Sequence, residues 1–163
     1  SAGGNLAAAV VHSLRLETER IIGQLLIYPI LGPNTGRGSY EKHAMAPLLT
    51  SSDVNFYLES RCGQPVGSLL DDKTLFPLLD NDFCGLPPTF IVTADCDPLS
   101  DNGKDYQASI RSAGGRALWI NEEGLVHGFL RARREVKRAS SSFMRIIKLL
   151  LMLGKKEWTM IKK

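Results

Sequence analysis

Cysteine is scarce in this 163-residue chain, and the three present are poorly placed for shared work. Cys62, Cys84 and Cys96 are odd in number and widely spaced, with no Cys-x-x-Cys pair. That argues against a zinc site and against a disulfide framework, and it points to a reducing compartment, with the cytoplasm as the expectation. Long apolar runs are missing as well. The best candidate, Ile146 to Leu153, falls far short of the roughly 20 residues that span a bilayer, and it carries Lys148. No stripe of Lys and Arg interleaved with aromatics appears, so nucleic acid is not an expected partner. The net charge of +3 is mild, and much of the positive charge lies after Arg131. There is no internal repeat and no low-complexity tract. The chain opens on Ser1 rather than Met, so a signal peptide could not be seen in it and nothing about export follows.

The residues that are present suit a globular core. Hydrophobic residues make up 44% and charged residues 23%, proportions ordinary for such chains. The length fits one domain or part of a larger one. Leu6, Val10, Val11 and Leu14 recur at helical spacing and predict a helix from Gly3 to about Glu19. Ile21 to Ile30 is a continuous apolar run, as expected of a strand buried on both faces of a parallel sheet. Residues 33–82 break the alternation and read as an insertion, with a short helix over Asp53 to Arg61 capped by Ser52 or Asp53.

Beyond the insertion, Thr89 to Ala94 reads as a strand, Leu99 to Ala113 as a helix stopped by Gly114-Gly115, and Arg116 to Asn121 as a short strand. Gly124 to Gly128 reads as a loop. A last helix runs from about Ala132 to Leu153, with Phe143, Ile146, Ile147, Leu150 and Leu151 on its apolar face, and 154–163 forms a basic tail. The order α, β, insertion, β, α, β, α describes an α/β fold: a parallel sheet flanked by helices, with a cap-like insertion after the first strand.

Three segments fall at the carboxyl ends of strands, where open α/β sheets hold their ligands. They are Ser1-Ala2-Gly3-Gly4-Asn5, Asp97-Pro98-Leu99-Ser100-Asp101-Asn102-Gly103 and Leu125-Val126-His127-Gly128-Phe129. In chain order they offer a Ser, an Asp and a His, the order of the α/β-hydrolase triad. A serine hydroxyl needs a neighbouring base to take its proton, and the base needs a carboxylate to hold its tautomer. Asp95 competes with Asp97 for the carboxylate role, because two residues apart on a strand they face the same side. His12 and His43 read as structural or solvated. Within the insertion, Tyr40, Phe56, Tyr57 and Phe76 are candidates for contacts to an acyl chain, with core packing the better reading for each.

These segments together resemble the hormone-sensitive-lipase-like esterases of the α/β-hydrolase fold. That family carries Gly-Asp-Ser-Ala-Gly-Gly at its nucleophile turn, and Ser1-Ala2-Gly3-Gly4 matches its last four residues. Asp97 to Gly103 matches its Asp-Pro-Leu-x-Asp-x-Gly, and His127-Gly128-Phe129 matches its His-Gly-Phe. Leu86-Pro87-Pro88-Thr89 and Tyr28-Pro29 are similar to the family too. The resemblance spans nearly the whole chain and implies its C-terminal portion, beginning at the nucleophile.

By that resemblance Ser1 is the nucleophile, Asp97 the triad acid, His127 the base and the Ala2 N–H an oxyanion donor. It implies a carboxylic-ester hydrolase acting on small acyl esters, with no metal and no cofactor, and it allows a homo-oligomer. The family's second oxyanion segment, His-Gly-Gly, lies upstream of the nucleophile and does not occur in this sequence, so these 163 residues alone are expected to be inactive or nearly so. A ligand-binding use of the same fold, as in gibberellin receptors, and an amide or formamide hydrolase are the alternatives.

Overall fold

The computed structural model describes residues 1–158, apart from the side chains of residues 18–20. Eight regular elements carry the fold: α1 (Ala2–Ser13), β1 (Gln24–Ile27), α2 (Ser39–Lys42), α3 (Ser51–Cys62), β2 (Thr89–Cys96), α4 (Ser100–Ser112), β3 (Ala117–Val126) and α5 (Lys137–Gly154). Short 3₁₀ turns over Arg15–Arg20, Val66–Leu69, Pro77–Leu79 and Phe129–Ala132 link them. The strands form one parallel sheet in the order β1-β2-β3, with Gln24 opposite Thr89 and Thr89 opposite Ala117.

Alternation along each strand decides which helix lies on which face. Leu26 and Ile91 point to the side that holds Ala8 and Val11 of α1 and Tyr106 and Ile110 of α4. Phe90, Val92 and Ala94 point the other way, onto Ala139, Ile146, Leu149 and Leu153 of α5. Both faces of β2 therefore pack against helices, as expected of a strand in a parallel sheet. Each such side chain taken fully out of water contributes on the order of 1.5–3 kcal/mol. Gly103 lets α4 approach the sheet closely: a Cβ there would lie 2.5 Å from Thr93 Cγ2 and 3.0 Å from Ile91 Cγ2.

Several boundaries differ from the sequence reading. α1 stops at Ser13, and the chain to Arg20 winds as a 3₁₀ segment with a non-helical Glu17. β1 keeps only Gln24–Ile27 of the expected ten-residue strand, because Tyr28 turns to a positive φ of 34° and Pro29 follows. The cap of α3 is Thr50, neither Ser52 nor Asp53; its hydroxyl accepts from Asp53 N at 3.0 Å while the Asp53 carboxylate accepts from Thr50 N at 2.9 Å, a reciprocal capping box. β3 continues through the expected loop to Val126.

The apolar face of α5 is also not the one expected. Ala139, Ser142, Ile146, Leu149 and Leu153 are buried, whereas Leu150 and Leu151 are more than half exposed. The start of the expected tail is packed, with Trp158 stacked on Phe90 at 4.5 Å; its last five residues lie outside the described ones.

The expected insertion contains a core of its own. Tyr40, Leu49, Val54, Leu58, Leu69, Leu75 and Phe76 cluster with Ile30 and Leu99, residues that follow β1 and precede α4. This pins the insertion over the carboxyl end of the sheet. Two hydrogen bonds reinforce the join: Ser39 N donates to Asp101 Oδ2 at 2.8 Å, and Asp101 N donates to Ser39 Oγ at 3.1 Å.

Candidate active site

Strand register brings Asp97 and His127 together. Ala94 pairs with Glu122, but Cys96 pairs with Val126, so β3 carries two extra residues around Gly124. Gly124 adopts a φ of +66° that a side chain would resist, and its N–H donates to Asp95 Oδ2 at 3.2 Å. Once the register resumes, the next residue on β2 is Asp97 and the next on β3 is His127. Their side chains meet, with His127 Nδ1 2.6 Å from Asp97 Oδ2. The other Asp97 oxygen accepts from Leu99 N at 2.8 Å. The carboxylate is fully buried, so both of its oxygens exchange water for fixed partners.

Asp95, the competing carboxylate, is engaged elsewhere. It accepts from the Asn121 side chain at 3.2 Å as well as from Gly124 N. It therefore holds the bulge that sets the height of His127.

Ser1 sits at the carboxyl end of the neighbouring strand, its backbone nitrogen 3.1 Å from Ile27 O. The first intrahelical bond of α1 runs from Asn5 N to Ser1 O, which leaves the N–H groups of Ala2, Gly3 and Gly4 without a helical carbonyl. They form a partly positive end directed at the site. The Ser1 side chain makes no capping bond to this helix. Gly4 is needed for packing, since a Cβ there would lie 3.0 Å from Pro29 Cβ; at Gly3 nothing in this chain lies within 4 Å. Asn5, fully buried, donates to Ile30 O and Leu75 O, tying α1 to the insertion.

Ser1, Ala2 and His127 line one cavity of about 330 Å³, whose remaining wall is made of aliphatic side chains from the insertion, together with Leu99, Tyr57, Arg61 and Arg131. The volume is at the lower end of the range of about 300–1,000 Å³ usual for small-molecule sites. Tyr40 and Phe76 are core residues, as expected, but Phe56 and Tyr57 are not: both are about 60% exposed, and Tyr57 reaches the cavity wall.

The sequence reading missed what lies beneath His127. The Tyr28 ring packs against the imidazole at 4.8 Å and against Phe129 at 5.4 Å. Burial raises the Tyr28 phenol above its ordinary value, against an opposing effect from the Arg131 guanidinium, so the ring stays neutral. Only the Tyr-Pro pair hinted at this contact. Also missed was Asn102, whose Oδ1 accepts from Leu31 N and Gly32 N and fixes the chain leaving β1. Among the described residues no cluster of three or more His, Cys, Asp and Glu could hold a metal ion, and no helix is long and apolar enough to cross a membrane.

The parallel sheet flanked by helices, with Ser1, Asp97 and His127 gathered at its carboxyl end, is an α/β arrangement. A family model described as the alpha/beta hydrolase fold matches residues 1–131, and the chain belongs to the α/β-hydrolase family, in its hormone-sensitive-lipase-like branch. It is 33% identical over 135 residues to carboxylesterase NlhH of Mycobacterium tuberculosis, a match covering 80% of this chain and 41% of that one. It is 25% identical over 152 residues to ethyl acetate hydrolase of Pseudomonas putida, covering 92% of this chain and 47% of the relative. The crystal structure of EstE1, a thermostable carboxylesterase cloned from a metagenomic library, superposes with a TM-score of 0.80 at 31% identity, over 90% of this chain and 50% of that one. The chain thus spans somewhat less than half the length of these two curated relatives.

Proposed function

We propose that the protein is a carboxylic-ester hydrolase that works through an acyl-enzyme, with Ser1 as nucleophile, His127 as general base and acid, and Asp97 as the carboxylate that orients His127. The observation that carries this reading is the 2.6 Å Asp97–His127 bond facing the cavity that Ser1 also lines. With Nδ1 donating to Asp97, Nε2 is the nitrogen left to take the serine proton. Ser1 Oγ then bonds to the ester carbonyl carbon, and the Ala2 N–H steadies the oxyanion. His127 returns the proton to the departing alcohol. Water, deprotonated by His127, attacks the acyl-enzyme and releases the acid and the serine hydroxyl. The small, mostly apolar cavity suits short acyl esters.

Three free cysteines suit a reducing compartment such as the cytoplasm. The open outer edge of β3 would allow a homo-oligomer. The test is hydrolysis of p-nitrophenyl butyrate by the full gene product. Ser1→Ala is expected to lower turnover by about 10⁴-fold or more; comparable rates from the two proteins would overturn the assignment.

A further inference from the structure

We infer that the cavity selects esters that carry a free carboxylate as well as the scissile bond, with Arg131 and Arg61 as its anion-binding residues. The inference deepens the ester-hydrolase reading and rests on it. Two arginines line the cavity from different elements: Arg61 from the last turn of α3, and Arg131 from the 3₁₀ turn that follows His127. Among the described residues, no Asp or Glu lines it. The carboxylate beside His127, Asp97, is fully buried and uses both oxygens on His127 and Leu99 N. The formal charge that these residues bring to the lining is therefore positive, against a largely aliphatic wall.

Neither arginine is spent on an internal ion pair. Among the described residues, no carboxylate lies within 4 Å of either guanidinium. Asp72 is held below the ordinary carboxylate value chiefly by the hydrogen bond from the Thr74 hydroxyl, with Arg61 the smallest contributor, and it does not pair with Arg61. Arg61 is instead positioned by a neutral partner, donating from Nη1 to the Oδ1 of buried Asn5 at 2.7 Å. That bond occupies one of five donors and leaves the rest of the planar fork for a ligand. Asn5 is itself fixed to Ile30 O and Leu75 O, so Arg61 is anchored to the helix that begins at Ser1. A planar, permanently charged fork matches a carboxylate through two parallel hydrogen bonds. A ligand with an ester at one end, a short methylene chain and a carboxylate at the other would place its chain against Leu48, Leu58 and Leu99 and its charge at the arginines.

The experiment uses the full gene product, followed by pH-stat titration of released acid, with two pairs of esters differing only in a carboxylate for a methyl group. Monomethyl adipate against methyl hexanoate puts the charge on the acyl side; 4-acetoxybutyrate against butyl acetate puts it on the alcohol side. The expected result is a kcat/KM ratio of at least about tenfold in favour of the anion in one pair. Arg131→Gln and Arg61→Gln should each cut that ratio severalfold, and Arg131→Lys should recover only part of it, because an ammonium keeps the charge but not the paired donors of the fork. Because the readout is a ratio within one enzyme, a general loss of activity or stability cancels. A ratio of one or less in both pairs, or a preference that survives both Gln variants, overturns the inference while leaving the ester-hydrolase reading intact. No hydrolysis of any of the four esters overturns both.

Discussion

Asp95 and Asp97 illustrate what single residues disclose. Two residues apart, they were expected to face the same side, and composition and spacing alone could not separate them. The family motif selected Asp97, and the register explains the choice: Asp97 follows the Cys96–Val126 pair and so lies level with His127, whereas Asp95 lies opposite the Gly124 bulge and is used to hold it. The two carboxylates should therefore fail differently. Asp97→Asn leaves the geometry but reverses the hydrogen-bonding demand on His127 Nδ1, and turnover should fall by about 10⁴-fold. Asp95→Asn keeps its acceptor oxygen toward Gly124 and should change turnover by less than about tenfold, with a modest drop in Tm. Parallel kcat and Tm measurements on the two variants check this, and a reversed order of kcat losses would contradict it. Arg61, Arg131 and Tyr28 were not legible as site residues, because nothing in local spacing says that a residue in an insertion or before a proline will reach a cavity made elsewhere.

Elements were legible in kind and order, less so in extent. β2 and α4 matched closely because β-branched residues and a Gly-Gly stop mark their limits. α5 ends where expected but begins at Lys137 rather than about Ala132, and it was turned wrongly: Ile146 to Leu153 is apolar nearly all round, so periodicity within it does not distinguish the buried Leu149 and Leu153 from the exposed Leu150 and Leu151. α1 ended early, yet its last turn carries a tie the sequence reading left undefined. His12 is buried, with Nδ1 2.8 Å from Asp80 and Nε2 2.9 Å from the Tyr106 hydroxyl, joining α1 to the insertion and to α4.

Burial pushes the His12 value below its ordinary 6.5, against the opposing pull of Asp80. The unfolded chain therefore binds that proton more readily than the folded one, so the stability the pair contributes is present above 6.5 and is lost as pH falls through 6.5 toward the lower folded value. Asp80 is raised by burial, but hydrogen bonds from His12, Asp82 N and Lys73 outweigh this and hold it below 3.8, so its own contribution persists to more acid pH. The Tm difference between the parent and His12→Gln should shrink as pH falls from about 7 to about 5, measured by thermal melts of the full gene product; a gap that stays constant would contradict the role assigned to His12.

For the whole molecule, the sheet is bounded by β1 on one side and β3 on the other, and α1 presents Leu6, Val10 and Leu14 to solvent. An α/β sheet of the sort read from the sequence buries such surfaces against further strands and helices, and this chain covers about half the length of the solved esterase it superposes on. Residues 1–163 hold the proposed Ser, Asp and His, and the Ala2 N–H is the oxyanion donor assigned to them. Losing one such donor costs about 10²–10³-fold in turnover, so residues 1–163 expressed alone should hydrolyse p-nitrophenyl butyrate at least that much more slowly than the full gene product.

The proposed mechanism depends most on Ser1 as an activated nucleophile. Its direct measurement is covalent trapping: incubate the full gene product with an alkyl fluorophosphonate and locate the adduct by peptide mass spectrometry. One adduct per chain on Ser1, with activity lost in step and labelling abolished in His127→Ala, is the predicted result. Full activity with Ser1 unmodified after exhaustive treatment, or an adduct on another residue that tracks the loss of activity, would contradict it.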